Sequence, residues 1–347
     1  MKKLLLGAFC VDYNEPHLLD HIAPLASLLN IPLLLADEEM FTLSSLHYPH
    51  TQRELIENPS PTLLAKRFNA LVACKFWPPH LKKMFNHLCN KEMRLIFCPH
   101  GQSDKGFQEP LLAPYALQDI VLLYGQRQIA MLQELQLWDQ IQKWARIGNY
   151  RLLYYQKYKN YCDQLAEQQI FSHLSPNLPT LLYAPTWKDA DAATSFFHLG
   201  PLLAAAKPSD WNLVVKPHPL LEIRDPAAYY IAVHALEKKP NVLLLSNFPS
   251  IYPLLNRCDA YLGDYSSVGY DFLFFERPMF FFSSPHFPQG ALHSCGSSID
   301  ARTLSLCFSQ NNQEYARRQK GLYLEAFGEP TTEELLSDAI FSTLYSG

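Results

Sequence analysis

The chain has 347 residues, with 29 Lys plus Arg, 33 Asp plus Glu and a formal net charge of -4. That length holds two domain cores and excludes a small stapled module, and the acidic balance excludes an overall basic field for nucleic acid. With 48% hydrophobic and 18% charged residues, 19 Tyr and 21 Phe, the chain is too apolar and too aromatic to be disordered.

Met1-Lys2-Lys3 followed by Leu4 to Val11 imitates a signal peptide, but Asp12 and Glu15 follow without a small-residue cleavage site, so a first buried strand is expected. Short apolar runs continue at Pro32 to Ala36, Leu71 to Ala73, Arg94 to Cys98 and Ile120 to Tyr124, alternating with helix-like stretches. This is the rhythm of a parallel α/β sheet. A second series runs through Thr180 to Ala184, Trp211 to Val215, Val242 to Leu245, Ala260 to Leu262 and Met279 to Phe282. The last is followed by no run approaching the roughly 18 apolar residues of a membrane span. The pattern predicts Rossmann-like domains over 1–150 and 179–330, a helical linker over 151–178 and a C-terminal helix over 331–347 opened by a Thr-Thr-Glu-Glu start. The cysteines at 10, 74, 89, 98, 162, 258, 295 and 307 lack zinc or redox spacing and read as core residues of a reducing compartment.

Ligands of open α/β sheets lie beyond the carboxyl ends of the strands, and four polar clusters fall there. His100-Gly101-Gln102-Ser103-Asp104-Lys105 follows the Arg94 strand; a His beside a Gly can serve as general base toward an acceptor, or be a turn with a surface His. Tyr183-Ala184-Pro185-Thr186-Trp187-Lys188 offers a hydroxyl and a point charge for phosphate, though alone it is an ordinary strand end. Lys216-Pro217-His218-Pro219 restricts the backbone around His218, which suits a pyrophosphate or a structural turn equally. Gly263-Asp264-Tyr265-Ser266-Ser267 leads into a helix with Val268, Phe272 and Phe275 on its apolar face, with Asp264 or Tyr265 expected near the N-cap. Such an end attracts phosphate, although capping is the commoner use of these residues.

His-Gly, Tyr-Ala-Pro-Thr-Trp, Lys-Pro-His-Pro, Asp-Tyr-Ser-Ser and then Arg277-Pro278, in this order over residues 95–285, resemble the CDP-glycerol glycerophosphotransferase family of teichoic-acid polymerases and primases. The resemblance implies an α/β GT-B fold, two Rossmann-like parallel-sheet domains facing a central cleft. It implies a CDP-activated alcohol donor on the C-terminal side and a glycan or lipid-linked acceptor on the N-terminal side, with no cofactor and no metal. Carried over, His100 is the base and His218 meets the pyrophosphate. Thr186, Lys188, Lys216, Asp264, Ser266, Ser267 and Arg277 form the donor and phosphate side, and Gly101, Ser103 and Lys105 the acceptor side. Two departures stand out: Gln102-Ser103-Asp104-Lys105 replaces the family's Thr-Pro-Leu-Lys, and Pro285 to Ser298 replaces an acidic loop. Both bear on substrate identity.

Residues 61–99 hold seven basic groups against the single acid Glu92, with Phe68, Phe76, Trp77 and Phe85 among them. Such interleaving fits either an anionic membrane surface, which with the cysteines predicts a cytoplasmic, peripheral protein, or an ordinary surface with buried aromatics. The alternatives to CDP-alditol transfer are a glycosyltransferase using a nucleotide-sugar and a non-catalytic nucleotide-binding relative.

Overall fold

The computed structural model describes residues 5–10, 15–107, 112–187, 194–283, 289–308 and 314–346. It divides into two compact units, one of residues 1–158 with 324–347, the other of residues 159–323.

The first unit is built on a seven-stranded sheet of β1 (Leu6–Cys10), β2 (Leu33–Leu35), β3 (Arg53–Leu55), β4 (Ala70–Ala73), β5 (Arg94–Phe97), β6 (Ile120–Leu123) and β7 (Trp144–Arg146), in the order β3-β2-β1-β4-β5-β6-β7. All pairs are parallel. The interior strands are apolar on both faces because helices cover both, as parallel sheets require. Phe9, Phe68, Leu71, Trp77, Phe85 and Leu95 form one core cluster, and Phe97, Tyr115, Val121 and Leu132 another. The flanking helices begin on side-chain caps: Asp37 accepts from the Met40 amide at 2.8 Å, and Ser60 from Leu63 at 3.2 Å with Pro61 in the first turn.

The second unit holds β8 (Thr180–Tyr183), β9 (Asn212–Val215), β10 (Val242–Leu244), β11 (Ala260–Gly263), β12 (Met279–Phe282) and β13 (Ser297–Ile299), parallel throughout in the order β10-β9-β8-β11-β12-β13. Its main core gathers Leu181, Tyr183, Phe196, Leu213, Leu262 and Phe280. In each sheet the order reverses beside the first strand, at β1/β4 and at β8/β11, which is where doubly wound folds open a ligand crevice.

The ten expected strands are present, and three were not foreseen. β3, β7 and β13 are three-residue edge strands reading Arg-Glu-Leu, Trp-Ala-Arg and Ser-Ser-Ile. Short polar edges carry no apolar run to read. The domain boundaries also differ. The expected linker is two helices, Tyr150–Lys157 in the first unit and Lys159–Gln169 in the second. The C-terminal helix Glu333–Tyr345, capped by Thr332 as its sequence implies, belongs to the first unit. It buries Leu336, Ile340 and Leu344, and Thr343 donates to the Trp144 carbonyl of β7 at 3.3 Å.

In the aromatic and basic segment 61–99, most of the rings pack into the core. Phe68, Trp77 and Phe85 are buried, and Phe76 stacks on Phe97 with centroids 4.3 Å apart. Arg67 pairs with Glu54, Lys75 with Glu15 at 3.1 Å and Lys82 with Asp119 at 2.8 Å. Three of the four rings are thus turned inward, while Phe76 keeps 37% of its surface exposed. Among the described residues no helix is long and apolar enough to cross a membrane.

Leu344→Ala should destabilise the first unit by about 2–5 kcal/mol, the range for deleting a buried leucine side chain. Urea unfolding followed by hydrogen exchange should show the loss on β6 and β7, with amides of the second unit unchanged.

Candidate active site

In the first unit, β5 ends at Phe97 and the chain turns through Cys98 and Pro99 to His100. Gly101 has φ of +112°, a conformation that side chains with a Cβ rarely adopt, so the turn after His100 depends on glycine. The His100 Nδ1 lies 3.3 Å from the carbonyl of Cys74, the residue after β4. A carbonyl only accepts, so in the neutral ring Nδ1 carries the proton and Nε2 keeps a basic lone pair. His100 reaches solvent, yet crowding by the strand ends lowers its pKa, opposed by the Cys74 bond and by Glu15. The ring is thus neutral at pH 7, as a base must be.

His17 and His21 flank it, with ring centroids 6.2 and 6.3 Å away. Both follow β1, and His21 sits on the helix Leu19–Leu28. Beneath them is a buried polar network. Tyr124 donates to the Pro99 carbonyl at 3.0 Å, so its oxygen must accept from His21 Nδ1 at 3.1 Å. Tyr150 donates to the His21 carbonyl at 2.9 Å, and Arg151 pairs with Asp20 at 2.8 Å while Tyr48 donates to the same carboxylate at 3.0 Å. Burial, then the Arg151 charge, holds the His21 pKa well below the usual histidine range. Sequence reasoning missed His17, His21 and this network; the His-x-x-x-His spacing just after a first strand was the available signal. Ser103 accepts from the Lys105 amide at 3.2 Å, so these two acceptor-side candidates shape the loop after Gly101.

In the second unit, Thr186 follows β8, Lys216 and His218 follow β9, and Asp264, Ser266 and Ser267 follow β11. Strand order brings these loops side by side. Asp264 is fully buried, and its carboxylate accepts from the amides of Thr186 and Tyr265 at 2.8 Å, the Ser195 amide at 3.2 Å and the Ser195 hydroxyl at 2.8 Å. It braces the crevice loops instead of facing a ligand. Thr186 is buried within that brace, its carbonyl accepting from Thr194 at 2.7 Å. Lys216 uses one donor on the Phe248 carbonyl at 2.8 Å. His218 Nδ1 accepts from the Leu220 amide at 3.2 Å, which puts the neutral ring's proton on Nε2 as a donor. Its ring lies 5.9 Å from Trp187, over which the Arg224 guanidinium sits at 5.7 Å. Trp187 and Arg224 were not foreseen as neighbours of the site, although Trp187 lies in the motif itself.

Ser267, not Asp264 or Tyr265, stands at the N-cap of Val268–Phe272, without a side-chain cap bond, and a 3-10 turn Leu273–Phe275 follows. Ser266 and Ser267 are half-buried at this junction. Lys188 lies outside the described residues. Arg277 is a correction: it precedes β12, so it stands at the amino ends of the strands, across the sheet from the crevice. There its Nη1 donates to the carbonyls of Asn256 and Cys258 at 2.8 and 2.6 Å and closes the helix Ile251–Arg257. A guanidinium committed to a helix end on the opposite edge is not a donor ligand.

Because His21 stays neutral in the fold but titrates near 6.5 when unfolded, the unfolded state binds more protons on acidification. Stability is therefore full above about pH 6.5 and falls below it, by up to about 1.4 kcal/mol per pH unit for this one group. Urea unfolding at pH 5 to 7 should show a shallower slope in His21→Gln than in wild type.

Residues 154–285 match the family model described as CDP-Glycerol:Poly(glycerophosphate) glycerophosphotransferase; the His100 turn lies outside the matched segment. The wall teichoic acid polymerase TagF is similar in structure, at 15% identity and a TM-score of 0.65, over 97% of this chain and 88% of that one. So are HepE of Anabaena, solved with UDP-glucose (13% identity, TM-score 0.57, 99% and 100% covered), and a glycosyltransferase from Rickettsia africae (11%, 0.55, 100% of each). No curated protein sequence matches the chain. The structural likenesses bear out the GT-B type of fold, two parallel-sheet α/β units. The family match falls on the segment that carries Thr186, Lys216, His218, Asp264, Ser266 and Ser267.

Proposed function

We propose that the chain moves an alditol phosphate, glycerophosphate first among the candidates, from a CDP-activated donor to a hydroxyl of a glycan or lipid-linked acceptor. The observation that carries this is the pair of opposed histidine tautomers on a chain with the family segment: His100 offers a lone pair, His218 an N–H. In this reading Nε2 of His100 takes the acceptor's proton as its oxygen bonds to the β-phosphorus. The bond from that phosphorus to the bridging oxygen breaks, and CMP leaves with the electron pair. Charge grows on the departing phosphate, where the Nε2–H of His218, the Lys216 ammonium and the Ser266 and Ser267 groups are assigned to stabilise it. Thr186 and Asp264 are re-read as positioning residues that fix those loops. The spacing of the eight cysteines supports a reducing, cytoplasmic setting. Lipid contact through 61–99 is not carried into this reading, since Phe68, Trp77 and Phe85 are buried.

The second reading, sugar transfer, is favoured by one observation, the likeness to HepE solved with UDP-glucose. Nucleotide preference separates the two. CMP and CDP should raise the thermal midpoint more than UMP and UDP, and CDP-glycerol with an acceptor should release CMP. His100→Ala should keep CMP affinity and lose about 100-fold to 10,000-fold in turnover. His218→Ala should lower turnover more than it weakens CMP. The acid limb of kcat/KM should fall below the ordinary histidine value, as the lowered pKa of His100 requires. Tighter binding of UDP with no CMP release would move the activity to glycosyl transfer.

A further inference from the structure

A cavity of about 290 Å³ in the second unit belongs to none of the residues assigned above. It lies over the carboxyl-terminal half of β12 and the edge strand β13, lined by Phe281, Phe282, His293, Ser298, Tyr315 and Arg318 among others. Its volume is at the small end for ligand sites.

The walls are braced. Gly296 passes so close to β12 that a Cβ there would stand 2.2 Å from the Met279 carbonyl oxygen, and Leu292 fills the place of a side chain at Gly269. The buried amide of Gln319 donates to the carbonyls of Arg277 at 2.9 Å and Cys295 at 3.0 Å, tying the turn Ala291–Cys295 to the helix Ala316–Phe327. The cavity is therefore preformed, not a gap left by loose packing.

Its chemistry is that of an anion site. His293 Nδ1 accepts from the Gly290 amide at 3.1 Å, so the neutral ring carries its proton on Nε2. Arg318 donates to the Ser294 carbonyl at 3.4 Å and its guanidinium lies 5.9 Å from the Tyr315 ring centre. A guanidinium keeps further donors beyond that one bond. Ser283 and Ser298 add hydroxyls, while the Ser294 hydroxyl donates to the Ala291 carbonyl at 2.7 Å, and no carboxylate lines the cavity among the described residues. Phe281 and Phe282 supply an apolar wall for a short carbon chain, and Phe282 also packs against Tyr265, the residue between Asp264 and Ser266. The cavity thus neighbours the phosphate cluster of the donor without sharing its residues.

We propose that this cavity is a second anion subsite and that it holds the phosphate of a phosphorylated-alditol acceptor. The identity of the occupant rests on the transfer reading; the anion chemistry does not. The lining residues between Gln289 and Ser298 belong to the stretch that departs from the family pattern, which makes the subsite a place where this chain sets its own acceptor.

Calorimetric titration of the full chain with sn-glycerol 3-phosphate, with and without saturating CMP, tests it. Glycerol 3-phosphate should bind with the same affinity in both cases, within about twofold, and more tightly than inorganic phosphate. Arg318→Gln, an exposed position, and His293→Gln should each weaken it at least tenfold while leaving CMP affinity unchanged. Displacement by CMP would place the anion in the donor cluster and overturn the proposal, as would binding unaffected by either variant or an absence of binding. Inorganic phosphate binding as tightly as glycerol 3-phosphate would overturn the acceptor assignment. Loss of CMP binding in wild type would instead count against the transfer reading, whatever the cavity does.

Discussion

A neutral imidazole has one proton for two nitrogens, and a single backbone hydrogen bond at Nδ1 decides what Nε2 can do. The chemistry argued for this protein depends on that constraint. The Cys74 carbonyl beside His100 demands a proton and leaves Nε2 basic; the Leu220 amide beside His218 and the Gly290 amide beside His293 supply one and leave Nε2 a donor. Three histidines of the same intrinsic chemistry are thereby divided into one with a basic Nε2 and two with an Nε2–H. The division costs no extra charged residue, since it uses main-chain groups at strand ends and turns that the fold provides.

Those main-chain groups are held in place by buried polar networks of different kinds in the two units. Below His100, the Tyr124, Tyr150, His21, Asp20 and Arg151 network joins β1, β5, β6 and the helix Tyr150–Lys157 at their carboxyl-end side. Below the His218 loop, one carboxylate, Asp264, draws the loops after β8 and β11 together through four bonds. Buried networks of this sort specify one arrangement because every member left unpaired is expensive. Asp264 shows why a residue in a family motif need not touch substrate: its oxygens are spent inside the protein.

The nine interior strands were legible in the sequence because a strand buried on both faces is a continuous apolar run, and the edge strand β10 because it too is apolar. The other three edge strands, β3, β7 and β13, were not, because they have little to bury. Which strand end a motif follows was also legible, and it put His100, Thr186, His218 and Ser266 at the crevice side. The misreading of Arg277 came from the same rule left unapplied: a residue before a strand lies on the other edge. The aromatics of 61–99 were ambiguous because helical spacing that buries a face and spacing that presents one to lipid look alike in a single sequence. His21 was passed over because its partners Tyr124 and Tyr150 lie more than a hundred residues away, and His17 because its ring meets His100 only in the fold. Long-range polar pairing leaves no local pattern.

The assignment of roles stands or falls on where the imidazole protons are. Long-range proton–nitrogen correlation spectra of the nitrogen-15 histidine-labelled protein at pH 8, assigned with His→Gln variants, read this directly. The account predicts His100 protonated at Nδ1 with a bare Nε2, and His218 protonated at Nε2 with a bare Nδ1. A His100 ring carrying its proton on Nε2 would contradict the base assignment on which the reading of the first unit rests.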